Sequence, residues 1–264
     1  MLQTASAAGS VAGPVIGGLL ATLVGIRGAL YLSGANVLFS VLLVIFIVKE
    51  PNKVSATNRS TLLQDFATAL HHPALMRVLG ITVLAMIATV SIQPILTVYV
   101  GELAADPSRA TTLSGIIYAL PSLAFVLTAN GWVRFGQRRG YDVAVLCALT
   151  GSGILGVALG LVRSLFIFAL LFFLQGACIA GLRPVTGAII SEQVEEEFRG
   201  RAFGMQQAAT TIGGLVGPTI AGLVSSRMGN AAVFWAIGFI LVVGALYLRL
   251  HERKAGLAER RIGA

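Results

Sequence analysis

Apolar residues run through this chain in long unbroken stretches, not along one face of a helix and not at every second position of a strand. Residues 1–26, 28–48, 78–101, 110–133, 143–162, 164–182, 202–226 and 228–248 carry no charged side chain, and each stretch is 19 to 26 residues long. About 20 apolar residues, at about 1.5 Å rise each, cross the hydrocarbon of a bilayer. The pattern predicts an all-α integral membrane protein with eight transmembrane helices. A soluble helix keeps a polar face, and a barrel strand alternates apolar and polar residues over about ten positions. These stretches do neither.

Composition agrees: 56% of the residues are hydrophobic and 11% charged, against about 25% charged in a soluble domain. The net charge of +8 would suit a nucleic-acid partner, but its placement argues against one. With the N-terminus in the cytoplasm and each span reversing direction, the inside segments hold fourteen cations. They are Lys49, Lys53, Arg59, Arg77, Arg134, Arg138, Arg139, Arg199, Arg201, Arg249, Arg253, Lys254, Arg260 and Arg261. The outside segments hold four: Arg27, Arg109, Arg163 and Arg227. Short cytoplasmic loops attract such an excess, so the charge needs no nucleic acid. Cys147 and Cys178 both fall inside spans and imply neither a disulfide framework nor a metal cluster. The sequon Asn58-Arg59-Ser60 lies in an expected cytoplasmic segment and reads as chance. No basic stretch precedes the first apolar run, so no signal peptide is expected.

The spacing gives an organisation. Residues 1–48 are two spans, the end of an N-terminal bundle. Residues 49–73 form a cytoplasmic linker, with a short surface helix expected over 60–70. Residues 74–250 hold six spans, enough for one complete six-helix bundle, and 251–264 are a basic cytoplasmic tail. The run Glu195-Glu196-Glu197 reads as a solvated helix end.

An internal repeat joins the two ends of the chain. Shifted by 204 positions, the first 35 residues align without a gap on 205–239. Gly9, Gly13, Pro14, Gly18, Gly25 and Gly34 meet Gly213, Gly217, Pro218, Gly222, Gly229 and Gly238. Small residues at i, i+4 and i+8 let helix backbones approach closely in lipid, and a proline inside a helix bends it. Gly9, Gly13, Pro14, Gly17 and Gly18, with Gly213, Gly217 and Pro218, are therefore the candidate packing element. Repeated halves are a common way of building transporters.

The pattern Gly204-x8-Gly213-x3-Gly217-Pro218-x2-Ala221-Gly222 resembles the antiporter motif of the major facilitator superfamily, and most closely the twelve-span drug:proton antiporters. Arg199-Gly200-Arg201-Ala202-Phe203-Gly204 and Ile92-Gln93-Pro94 followed by Tyr99-Val100 resemble that family too. The resemblance covers essentially the whole chain. It implies that the eight spans correspond to the family's fifth to twelfth, with the first four absent. The first copy of the motif is already under way at Met1. Family members carry a Gly-x3-Asp-Arg-x-Gly-Arg-Arg signature in a loop that here reads Gly131 to Gly140. Arg134, Arg138 and Arg139 remain, the acid is missing and the spacing is shorter. These arginines either gate the transporter or only anchor its topology.

Candidate chemistry inside the membrane is uncharged. All eleven acids lie outside the centres of the spans, and His71, His72 and His251 lie in loops or the tail. No nucleophile with a base and no metal-ligand set sits at membrane depth, so an intramembrane enzyme is not expected, and no cofactor is implied. Arg183 ends the sixth span near the inner surface. It either faces a cavity and meets an anionic group or snorkels to the headgroups. Gln93, Tyr118, Gln175, Gln207 and Thr211 are polar residues within spans. Each bonds a neighbouring helix or lines a cavity; together they favour a polar cavity.

Two functions fit. One is alternating-access export of an amphipathic small molecule, coupled to protons by resemblance, with an uptake carrier of the same superfamily as a close variant. Its partners are the lipid bilayer of a plasma or inner membrane, a small-molecule substrate and protons. The missing N-terminal spans, or a partner supplying them, complete the list. The other function is a non-transporting membrane remnant or subunit.

Overall fold

The computed structural model describes the backbone of residues 2–47, 72–104 and 110–262, and side chains within 24–46, 72–104 and 113–250. The chain is all-helical over the described residues. Seven segments there are long and apolar enough to cross a membrane: Arg27–Phe46, Pro73–Leu103, Leu113–Arg139, Tyr141–Leu159, Leu165–Gln193, Glu196–Met228 and Asn230–Leu250. The 49–71 part of the expected linker, with its surface helix, lies outside the described residues. So do the side-chain surroundings of Gly9, Gly13, Pro14, Gly17 and Gly18. The chain divides into two compact units, Met1–Leu62 and Leu63–Ala264.

The first unit holds α1 (Leu2–Ile47), which turns at Gly25, where φ is 75° and ψ is 166°. That backbone region is open almost only to glycine.

The second unit holds α2 (Pro73–Leu103), α3 (Ala110–Arg139), α4 (Tyr141–Leu159), α5 (Leu165–Ile179), α6 (Leu182–Gln193), α7 (Glu196–Met228) and α8 (Asn230–Ile262). Pro73 opens α2, where its missing N–H costs nothing and its fixed φ suits a first turn. Glu196 and Glu197 stand in the first turn of α7, where negative charge offsets the helix dipole. Gly229 separates α7 from α8 with φ 84° and ψ 168°. The repeat pairs this residue with Gly25, and the two backbones match.

Two boundaries differ from the sequence expectation. The segment 134–139, expected as a loop, continues α3, and Gly140 alone, at φ 96°, makes the turn into α4. The span beginning at Leu165 is two helices. α5 ends at Ile179 and α6 starts at Leu182, with the Gly181 N–H bonded to the Cys178 carbonyl in a tighter turn. Pro184 follows, and a proline cannot donate to the carbonyl four residues back. The helix then runs ten residues beyond Arg183, so Arg183 does not end the span.

Close approach of backbones holds this unit together. A Cβ built on Gly213 would stand 2.7 Å from Met86 Cβ and 2.8 Å from the Val83 carbonyl oxygen; one on Gly217 would stand 3.0 Å from that of Ile87. α7 thus lies directly on α2. Ser91, fully buried, donates to the Gly217 carbonyl at 2.8 Å. Gly153 and Gly156 of α4 meet Gly238 of α8 in the same way. Toward the end of the unit that contains Tyr99, the rings of Tyr99, Phe168 and Phe234 pack with centroids 4.9–5.5 Å apart, within the range for favourable tilted ring pairs. Lipid gives helices no hydrophobic reason to associate, so this packing and the interhelical hydrogen bonds carry the association.

Candidate functional site

α2, α3 and α7 place polar side chains on the surface of the second unit. Thr89, Gln93 and Thr97 recur every fourth residue on α2 and are all exposed, so they form one stripe. Tyr118 of α3 is partly exposed, and its side chain lies close to that of Gln93. On α7, Gln207 and Thr211 are exposed one turn apart, while Gly213 and Gly217 on the adjoining face are buried against α2. The helix thus turns its small residues to its neighbour and its amide outward. Hydroxyls bonded to their own helix, such as Thr211 Oγ1 to the Gln207 carbonyl at 3.1 Å, lose little by burial, whereas a side-chain amide facing lipid goes unpaired.

Gln175 does not join this surface. It is 2% exposed, wedged beside Gly156, with its Nε2 3.5 Å from the Ser152 carbonyl. Gln206 turns inward too and donates to Thr186 Oγ1 at 2.9 Å, while Thr186 donates to the Leu182 carbonyl. These two amides tie helices together. Pro218 is half-buried on α7 beside the Gly217 contact.

Sequence reasoning assigned no role to Trp132, yet its indole organises the α5–α6 break. Its Nε1 donates to the Ala177 carbonyl at 2.7 Å, which the tighter turn leaves without its usual helical partner. Its ring lies against Gly181, where any Cβ would stand 2.5 Å away. Tryptophan followed by arginine at the end of an apolar run was the available signal. It reads equally well as an interface anchor.

Arg134, Arg138 and Arg139 are exposed on the last turns of α3. Nearby, Tyr141 packs over Gly136 and donates to Glu192 at 2.7 Å, joining the start of α4 to the end of α6. Arg77 and Asp142 pair at 3.6 Å in a shallow recess that Ile189 and Leu248 also line. Arg183 is exposed, and its guanidinium has no ion-pair or hydrogen-bond partner among the described residues.

Long apolar helices packed through glycine, with amides and hydroxyls among their exposed positions, mark a multi-pass membrane protein. The chain belongs to the Major Facilitator Superfamily, which it matches over residues 1–139 and 78–263. It is 32% identical over 259 residues to the multidrug resistance protein MdtG of Salmonella typhimurium, covering 97% of this chain and 64% of that protein. The MdtG of Enterobacter lignolyticus is 29% identical over 256 residues, covering 97% and 61%. An uncharacterized MFS-type transporter, YuxJ of Bacillus subtilis, is 29% identical over 255 residues, covering 96% and 65%. The chain therefore spans 61–65% of the length of these curated relatives. Membership makes it a multi-pass protein of the cell membrane.

Proposed function

We propose that this chain is the greater part of a drug-exporting antiporter that works by alternating access, with protons as the coupling ion. Residues 74–250 are its complete C-terminal six-helix bundle. Residues 1–48 are two spans of the N-terminal bundle, folded back on themselves at Gly25, which brings the count to eight. The linker at 49–73 and the tail at 251–264 lie in the cytoplasm, as the fourteen-to-four charge asymmetry favours. Arg134, Arg138 and Arg139 lie at the cytoplasmic end of the cavity and bear on its opening. The relatives' greater length corresponds to four further spans, which complete the opposing wall. The name of the MdtG relatives, multidrug resistance protein, supports an amphipathic small-molecule substrate.

The observation that carries this reading is that Gln93, Tyr118, Gln207 and Thr211 of three span helices are all exposed, among outward positions that include many large apolar side chains. Amides facing hydrocarbon are costly, so that side of the bundle meets water and substrate near the midplane. Cysteine placed singly at Gln93, Gln207 or Thr211, in a chain with Cys147 and Cys178 replaced by alanine, should react with a membrane-impermeant thiol reagent. Cysteine at Leu170 or Phe239, on outward apolar faces, should not. Equal silence at both sets would refute the cavity.

A further inference from the structure

We infer that Arg183, with Gln207 beside it, recognises a carboxylate on the transported molecule; this rests on the transport cavity proposed above. The segment Leu165–Gln193 is 29 residues, about 43 Å at helical rise, and so reaches from headgroup to headgroup. Arg183 stands ten residues, about 15 Å, from its inner end, which places it inside the hydrocarbon. Arg134 of α3, by comparison, stands five residues from the end of its span. Helical side chains tilt toward their own N-terminus. For α6 that direction runs deeper into the membrane, so the guanidinium is aimed away from the cytoplasmic headgroups it would need to reach.

Gln207 stands at the same level. Gly187 faces the Phe203 ring, 3.9 Å from a built Cβ, and Thr186 bonds Gln206, so α6 and α7 run side by side in opposite directions. One turn back along α6 from Gly187 is Arg183; one turn forward along α7 from Phe203 is Gln207. Both are exposed. The pair presents the planar fork of a guanidinium, which matches a carboxylate with two parallel hydrogen bonds, and an amide donor alongside. A cation at this depth requires a counter-charge, and the described residues supply none to Arg183. The apolar positions around this pair would hold the rest of an amphipathic acid.

The test uses the purified chain in detergent, with Trp235→Phe so that Trp132, packed on Gly181 two residues from Arg183, is the single energy donor. The probes are dansyl-glycine, an acid, and dansyl-glycinamide, its neutral twin, titrated by energy transfer from Trp132. We expect the acid to bind about tenfold tighter than the amide, as one charge-assisted contact would give. Arg183→Gln should erase that preference while leaving the amide's affinity in place. Arg183→Lys should keep part of it, Gln207→Leu should reduce it, and Arg227→Gln at the far end of α7 should leave it whole. Equal binding of acid and amide, or a preference that survives Arg183→Gln, overturns the inference and leaves the cavity standing. Binding of neither probe takes the cavity with it.

Discussion

Two glycines of α7, three positions apart, show how much one atom decides. Gly217 has no room for a Cβ: Ile87 and Ser91 stand at 3.0–3.1 Å, and Gly217 also accepts the Ser91 hydroxyl. Gly214 has nothing within 4 Å. Gly217→Leu should therefore drive α7 off α2 and lower the melting temperature in detergent by an amount corresponding to about 1–3 kcal/mol or more. Gly214→Leu should melt close to the parent. The reverse order would mean that this stripe does not carry the packing. Sequence singled out Gly213 and Gly217 because the Gly-Pro element recurs. It could not rank Gln93, Gln175, Gln206 and Gln207, because an amide inside an apolar run reads the same whether it faces a neighbour or water. Gln175 and Gln206 turned inward, and only their contacts reveal it.

At the scale of elements, the repeat was legible to the level of single dihedrals: Gly25 and Gly229 share one unusual backbone state. With ψ near 170° this is not the left-handed helical region that asparagine tolerates. Gly229→Ala should cost about 1–3 kcal/mol through the backbone alone, since a Cβ there meets nothing within 4 Å. Gly229→Asn should do no better. Melting curves of both variants in the same detergent decide it; recovery by asparagine would contradict the assigned geometry. The break between α5 and α6 was not legible. Gly181 and Pro184 are both tolerated in membrane helices, and the element that stabilises the break, Trp132, lies 49 positions away in the chain. The ends of α3 and α6 were missed for a related reason. Charged residues mark where a span leaves the hydrocarbon, whereas hydrogen bonding carries the helix further.

For the whole molecule the question is coupling. A proton-driven antiporter needs a titrating group that water and substrate reach within the membrane. Among the residues whose side chains are described, the acids of the second unit sit at helix ends: Glu102 closing α2, Asp142 opening α4, Glu192 ending α6, and Glu195 to Glu197 around the start of α7. Tyrosine and lysine have ordinary values near 10 and do not serve at neutral pH. On the proton-coupled reading proposed above, the coupling group belongs to the part of the relatives' length that this chain does not match. Residues 1–264 reconstituted alone in vesicles should insert yet move no fluorescent amphipathic dye when a pH gradient is imposed. Dye movement that collapses with a protonophore would place the coupling in these residues after all.

The glycine turn at 229 also bears on how the chain enters a membrane in the first place. α7 and α8 are separated by one residue, so no polar loop exists for an insertion machinery to thread across after the first helix is seated. With the tail in the cytoplasm as proposed above, the two helices are expected to pass into lipid together, as a pair closed at its tip. The charge carried across by the tip is a single arginine, Arg227. Gly25, in the same backbone state, makes the corresponding turn within α1. A polar tag spliced in after Gly229 should therefore stall entry of the pair.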